Sequence, residues 1–384
     1  MEQEYFADGV VADIITGLSR IKWLFVIARN SSFAYKGKAV DVKKVGRELG
    51  VRYVLEGIVR KAGARVRLNG QVVETEAGTH VWAQRYDRTA EDIFDLQDEI
   101  TMSVVAAMDP SLRQAEIKRV KRKRPDSLDA YDLVLRALAE GRVGLSMPDA
   151  AQTALTFLDR ALTLEPDYAL AHAYAAIGNH TLYLRGGLSE GRRLAAIRHA
   201  RCGIAHGQDD AMALAMSGFI IGMAEHDRAA GLQAIEAALG LSPSTAIAHM
   251  AGSVIFGWAG QAERAVEWAE RALRLSPLDP TQWYSCRALT LAQFALGHDE
   301  EALAAARRGI QYNPEMSISC MLLAAPLSRL GRVDEAKAAA AQRRQGRGRF
   351  SYWPAKESAW RASSLKTCAS KNHEPIPSDP STCA

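Results

Sequence analysis

The chain is predicted to join an α+β unit to an all-α stack of helix pairs. Three observations predict this. Residues 1–108 change hydrophobic period several times, from steps of four to strict alternation and back. From Ser127 onward the period is helical and stays so. Within that helical region a single spacing returns: a small residue, a large one, a small one, then a proline.

Composition sets the frame. With 384 residues, 48% of them hydrophobic, the chain can hold two or three ordinary cores and is too apolar for a disordered polymer. A net charge of +4 is weak for this length and does not point to a polyanionic partner. The five cysteines are scattered and form no C-x-x-C pair, which argues for reduced thiols and against a disulfide framework or zinc site. MEQEYFADG is acidic and lacks a signal-like apolar core, and no run of about 18 apolar residues follows. A cytoplasmic protein without a membrane span is therefore expected.

In order along the chain, Tyr5–Arg20 carries Phe6, Val10, Ile14 and Leu18 at steps of four and predicts a helix. Trp23–Ala28 is a short continuous apolar run and predicts a buried strand. Asp41 is placed to cap a helix bearing Val42, Val45 and Leu49, with Gly50 just beyond its end. Strands are predicted over Arg52–Lys61, Arg65–Glu74 and His80–Tyr86, an antiparallel meander joined at Ala62-Gly63-Ala64 and Ala77-Gly78-Thr79. Thr89 with Asp92 reads as a capping box opening a helix with Ile93, Leu96, Ile100 and Val104 on one face.

The wording of EYFADGVVADIITGLSR, LFVIARNSSFAYKGKAVDVKKVGRELGVRYVLEGIVRKAGARVRLNGQVVE, GTHVWAQRYDR and DIFDLQDEI resembles the TolB-like amino-terminal domain over about residues 2–108. In that family a strand ending in a Pro-Phe pair precedes the E-Y-F-A-D-G helix. The resemblance therefore implies that residues 1–108 are a domain lacking its first strand. It also implies a place in bacterial signalling proteins, beside helical repeat arrays and downstream of class III adenylate or guanylate cyclase domains or winged-helix domains.

Residues 109–127 are read as a linker. Lys118–Arg124, KRVKRKR, is basic at all but one position. A solvated helix end explains it; the sharper alternative is contact with the phosphates of nucleic acid or anionic lipid. The absence of interleaved aromatic residues weighs against nucleic acid.

Ser127 is placed to cap LDAYDLVLRALAEG, the first repeat helix. Gly260–Pro277 shows the pattern best: Gly260 closes one helix, Ala262–Leu275 form the next, and Pro277 stops it. Ala265, Trp268, Ala269 and Ala272 share a face, and Ala262 at the entry turn is expected to be exposed. The same spacing recurs at Ala154, Leu158, Ala161 and Pro166, at Gly231, Ile235, Ala238 and Pro243, and at Ala302, Ala306, Gly309 and Pro314. Pro243 and Pro277 are 34 residues apart, and an insertion is expected around Arg185–Leu188. Over about residues 128–342 this resembles the tetratricopeptide (TPR) repeat, with about six helix pairs and a concave groove. Residues 343–384 lose all period and are expected to be a disordered tail without a closing helix.

No phosphate loop, G-x-G-x-x-G or H-E-x-x-H is present. The histidines are read as unclustered; His172 with His180, or His199 with His206, share only a helix face two turns apart. Asp92, Asp95, Asp98 and Glu99 suit a helix N-terminus without further role. No catalytic residue, metal or cofactor is expected. The remaining candidate is the groove, whose inward positions, with proline as repeat position 32, are Met216, Ile220, Met223, Met250, Val254, Trp258, Tyr284, Arg287, Leu291 and Phe294. This apolar, Met-rich set suits an apolar helix or peptide. If the register is off by one or two, the same residues are core.

The function expected is a non-enzymatic scaffold in bacterial signal transduction that binds a protein or peptide partner, a cyclase domain among the candidates. One alternative is the regulatory C-terminal part of an adenylate or guanylate cyclase. Another is a nucleic-acid-associated regulator acting through Lys118–Arg124.

Overall fold

A computed structural model describes residues 2–27, 29–38, 40–62, 65–89, 93–120, 128–140, 147–276, 279–314 and 317–345. Helix α1 (Glu2–Ser19) comes first, then short α2 (Arg29–Phe33) and α3 (Val42–Leu49). Asp41 caps α3 by accepting from the Lys43 N–H, and Gly50 ends it at φ 65°, a conformation that suits a residue without Cβ. Strands β1 (Tyr53–Ala62), β2 (Arg65–Glu74) and β3 (Thr79–Thr89) form the expected antiparallel meander, with Leu68 opposite Tyr86 and a bulge at Val72/Val73.

Alternation decides which face of the sheet is buried. Val66, Leu68, Val72, Trp82 and Tyr86 point into a core shared with Val10, Ile14 and Leu18 of α1. Ile100, Val104, Val105, Met108 and Leu112 of α4 (Ile93–Val120) complete it. The opposite face is polar, and there Arg65, Arg67 and Arg85 surround Asp87.

Two expectations are corrected here. Trp23–Ala28 is not a strand: residues 21–23 turn and 24–27 run without sheet pairing. Leu24 and Val26 pack on the core while Phe25 is 86% exposed, so the alternation exists without a ladder. Residues 109–120, assigned to the linker, continue α4 through Pro110. The i,i+4 pair of Asp109 with Arg113 spans the proline, and burial of Leu112, Ile117 and Val120 holds the far half. Ala28, Gly63, Ala64, Asp92, Lys121–Arg124, Ser127, Pro277 and the tail from 346 lie outside the described residues.

The helical part opens on Asp129, whose carboxylate accepts from the Asp132 N–H at the start of α5 (Ala130–Glu140). Then follow α6 (Pro148–Leu164), α7 (Ala169–Arg185), α8 (Glu190–His206), α9 (Ala211–Ile220) with a π turn to Glu225, and α10 (Arg228–Leu241). Next are α11 (Ala246–Trp258), α12 (Ala262–Leu275), α13 (Trp283–Leu296), α14 (Asp299–Tyr312), α15 (Ser317–Arg329) and α16 (Val333–Gln345). Consecutive helices pack as six pairs, α5/α6 to α15/α16, each pair against the next. The small–large–small residues are the seams. Ala154, Leu158, Ala161, Ile235, Ala238, Ala265, Ala269, Ala272 and Ala302 are all fully buried.

Ala262 is buried too, at 7% exposure, against Phe256 and Ala265, which corrects its expected exposure. The entry turn of α12 tucks under the end of α11. Ala265→Leu is expected to cost about 1–3 kcal/mol of overpacking in chemical denaturation. An unchanged midpoint would show that this crossing has room to spare. At the far end, α16 buries Ala339 against Leu303 and Leu327 and turns Asp334, Glu335 and Lys337 outward. It presents a polar outer face.

Candidate partner-binding site

The first helices of successive pairs, α7, α9, α11 and α13, pack side by side. Side-chain caps set the start of α9 and of the turn that leads into α13. Asp210 accepts from the Met212 and Ala213 N–H groups at 3.0 Å. Asp279 accepts from the Thr281 N–H at 2.7 Å and its hydroxyl at 2.6 Å, in the short 3-10 turn before α13. Burial raises the Asp279 carboxyl above its usual range in spite of these bonds.

Helix α4 reaches the same region. Arg113 donates to the Tyr174 hydroxyl at 3.0 Å and holds Asp109 at 3.2 Å. Burial works against the Arg113 charge, and Asp109 together with Tyr174 and Tyr131 more than offsets it. Trp23 stacks on Tyr131 of α5 at 6.4 Å and lies under the Arg113 guanidinium at 5.5 Å. Lys22 pairs with Asp209 at 2.5 Å. Arg271 of α12 meets the Met102 sulfur at 3.7 Å. Between α4 and the first helices is a cavity of about 210 Å³, walled by Trp23, Ile117, Ile177, Met216, Met250 and Tyr284 among others.

Of the ten groove residues read from the sequence, Met216, Met250 and Tyr284 line this cavity. Ile220, Val254 and Phe294 are instead buried within helix packing, at 0%, 2% and 3% exposure. Met223 and Trp258 are half-buried against the α9–α11 core. Leu291 packs beside Trp283 and Ile318. Arg287 stands over the Tyr284 ring at 5.2 Å. The contribution of α4 is not apparent from repeat spacing. The signal for it is Arg113 with Asp109 four residues before it, a charge pair beside the apolar Leu112 and Ile117.

The histidines, read as unclustered, are gathered in part. His172 Nδ1 lies 2.9 Å from His199 Nδ1, and the His172 ring stacks on His206 at 6.4 Å. His172 Nε2 donates to the Pro166 carbonyl, so His199 Nδ1–H donates to His172. Burial, then the His172 neighbour, lowers His199 to about 4. Among the described residues no group of three His, Cys, Asp or Glu is arranged to hold a metal. Of the basic stretch, Arg119 is engaged by Glu116 at 2.9 Å and Asp132 at 3.4 Å rather than offered to phosphate. No helix among the described residues is long and apolar enough to cross a membrane.

No family model matches the chain. Over 178 residues, 46% of this chain, it is 49% identical to a curated protein from Rhizobium meliloti (strain 1021) described as "Putative adenylate cyclase 3". The chain spans 30% of that relative's length. Among solved structures, PilW, a type IV pilus biogenesis factor, is similar over 62% of this chain and 98% of its own, with 17% identity and a TM-score of 0.43. MamA from Desulfovibrio magneticus RS-1 is similar over 45% and 94%, with 17% identity and a TM-score of 0.34. The human IFIT1 dimer is similar over 66% and 60%, with 14% identity and a TM-score of 0.49. By its own coordinates the chain is a small α+β unit followed by a solenoid of helix pairs.

Proposed function

We propose that the chain is a non-catalytic regulatory scaffold that holds a protein partner on the face formed by α7, α9, α11 and α13. The observation that carries this reading is the apolar cavity beside Met216, Met250 and Tyr284, open between α4 and those helices. Apolar concave surfaces of stacked helix pairs suit the side chains of a bound segment. In this reading the helix pairs are TPR repeats, residues 1–108 are a TolB-like unit, and the setting is cytoplasmic bacterial signalling. The Rhizobium meliloti relative supports a cyclase catalytic domain as the partner, either on the same polypeptide or on another.

The test uses the region of that relative lying outside the shared stretch. Titrated calorimetrically with the purified chain, it should bind saturably. The chain alone should make no cyclic nucleotide with Mg²⁺ or Mn²⁺. Absence of binding, or cyclic nucleotide synthesis by the pure chain, would overturn the proposal.

A further inference from the structure

Arg287 is the one groove position that carries a charge, and its surroundings do not neutralise it. The guanidinium lies 5.2 Å from the Tyr284 ring centre and 5.8 Å from that of Trp283, and the residue is half-buried. Its Nε is sealed from solvent and donates to nothing. Among the described residues no carboxylate pairs with it, and burial lowers its affinity for the proton. Arg185 acts on the same Tyr284, and Arg287 acts on His180.

His180 also has a ring nitrogen without a partner. It is 7% exposed, and its Nδ1 has no hydrogen-bond partner. Phe219 connects the two, edge-on to His180 at 6.3 Å and to Tyr284 at 6.0 Å. Helices α7, α9 and α13 thus bring donors to an aromatic floor without an acid among them. Nearby carboxylates are engaged elsewhere: Glu190 with Arg193, Glu225 with Arg201, and Asp227 as the cap of α10.

A half-buried cation with its Nε sealed and no counter-charge among the described residues is costly, and stacking on Tyr284 offsets only a fraction of that. The Tyr284 ring that carries Arg287 is also a wall of the cavity. We propose that Arg287 is an anion-recognition point that takes an acidic side chain of the partner segment, whose apolar neighbours enter the cavity beside Tyr284. This rests on reading the concave face as the partner surface. One guanidinium balances one charge, so a carboxylate suits it better than a phosphate, which carries nearly two.

The test follows tryptophan fluorescence of the full chain, with Trp283 beside the site, during titration with 4-phenylbutanoate, 4-phenylbutanamide and phenyl phosphate. The acid should bind at least about tenfold tighter than its amide, and phenyl phosphate no tighter than the acid. Arg287→Met should bring the acid and the amide to the same affinity. It should also melt no lower than the parent, because it deletes an unpaired buried charge and keeps an apolar stem. Four results would overturn the proposal: an acid that binds no better than its amide, a preference that survives Arg287→Met, phenyl phosphate binding tenfold tighter than the acid, or a variant that melts lower. Should the acid preference fail while the relative's fragment still binds, only the anion site falls. Should the fragment fail while the preference holds, only the partner assignment falls.

Discussion

Arg119→Ala should destabilise the chain by about 3 kcal/mol or more, toward the range seen when one partner of a buried ion pair is removed. Arg119 bridges Glu116 at 2.9 Å and Asp132 at 3.4 Å, and both carboxylates are 1% exposed. Tyr53 of β1 donates to the same Glu116 at 2.9 Å, and Arg52 stands 3.4 Å away. Without Arg119, Glu116 keeps these two neighbours, and Asp132 loses the guanidinium that reaches it from α4 at 3.4 Å. The expected cost therefore falls mainly on the α4–α5 junction. Replacing Arg119, Glu116 and Asp132 together by leucine should recover part of the loss, since the two carboxylates that Arg119 bridges are removed along with it. Denaturant midpoints of the single and triple variants check this. A single variant within about 0.5 kcal/mol of the parent would show that the network is solvated and structurally idle.

The second large effect lies at a helix crossing. A Cβ on Gly231 would sit 2.6 Å from the Gly218 carbonyl oxygen and 2.8 Å from the Gly222 nitrogen. These are backbone atoms, so no side chain can swing away, and α10 itself must move off α9. Gly231→Ala should cost about 1–3 kcal/mol or more in spite of alanine's better helix propensity. Gly240, in the same helix, has nothing within 4 Å of its would-be Cβ. There the same substitution should stabilise, by up to about 1 kcal/mol. Opposite signs for one substitution in one helix separate packing from propensity. Equal signs would show that α9 and α10 do not approach this closely.

Much of this architecture was legible because it rests on local rules. The cap at Asp41, the left-handed Gly50, the alternation in β2 and the span of α12 all follow from neighbours within a few residues. The seam residues were legible for a related reason. Two helices can approach closely only where side chains are small, so Ala265, Ala272 and Gly231 mark crossings whatever packs there.

What stayed hidden depends on distant regions of the chain. Trp23–Ala28 has the composition of a strand, but a strand also needs a ladder partner, which composition does not reveal. Residues 109–127 read as a linker. Arg113 and the buried residues beyond it carry α4 onward, and that follows from tertiary packing with Tyr174 and Tyr131. The same contacts explain why the cavity was only half visible. Met216, Met250 and Tyr284 could be read from repeat position, while the α4 side comes from more than a hundred residues earlier. Ile220, Val254 and Phe294 lie on the helices read as groove walls, but their burial depends on helix rotation, which a one-residue change of register alters.

The most direct measurement of the central claim is hydrogen exchange on the full chain, free and saturated with the relative's fragment. Binding on the proposed face should slow exchange in residues 105–117 of α4 and in the first turns of α11 and α13, leaving α8, α10 and α12 unchanged. Protection confined to those second helices, or to the arginine-bearing face of β2 and β3, would contradict it.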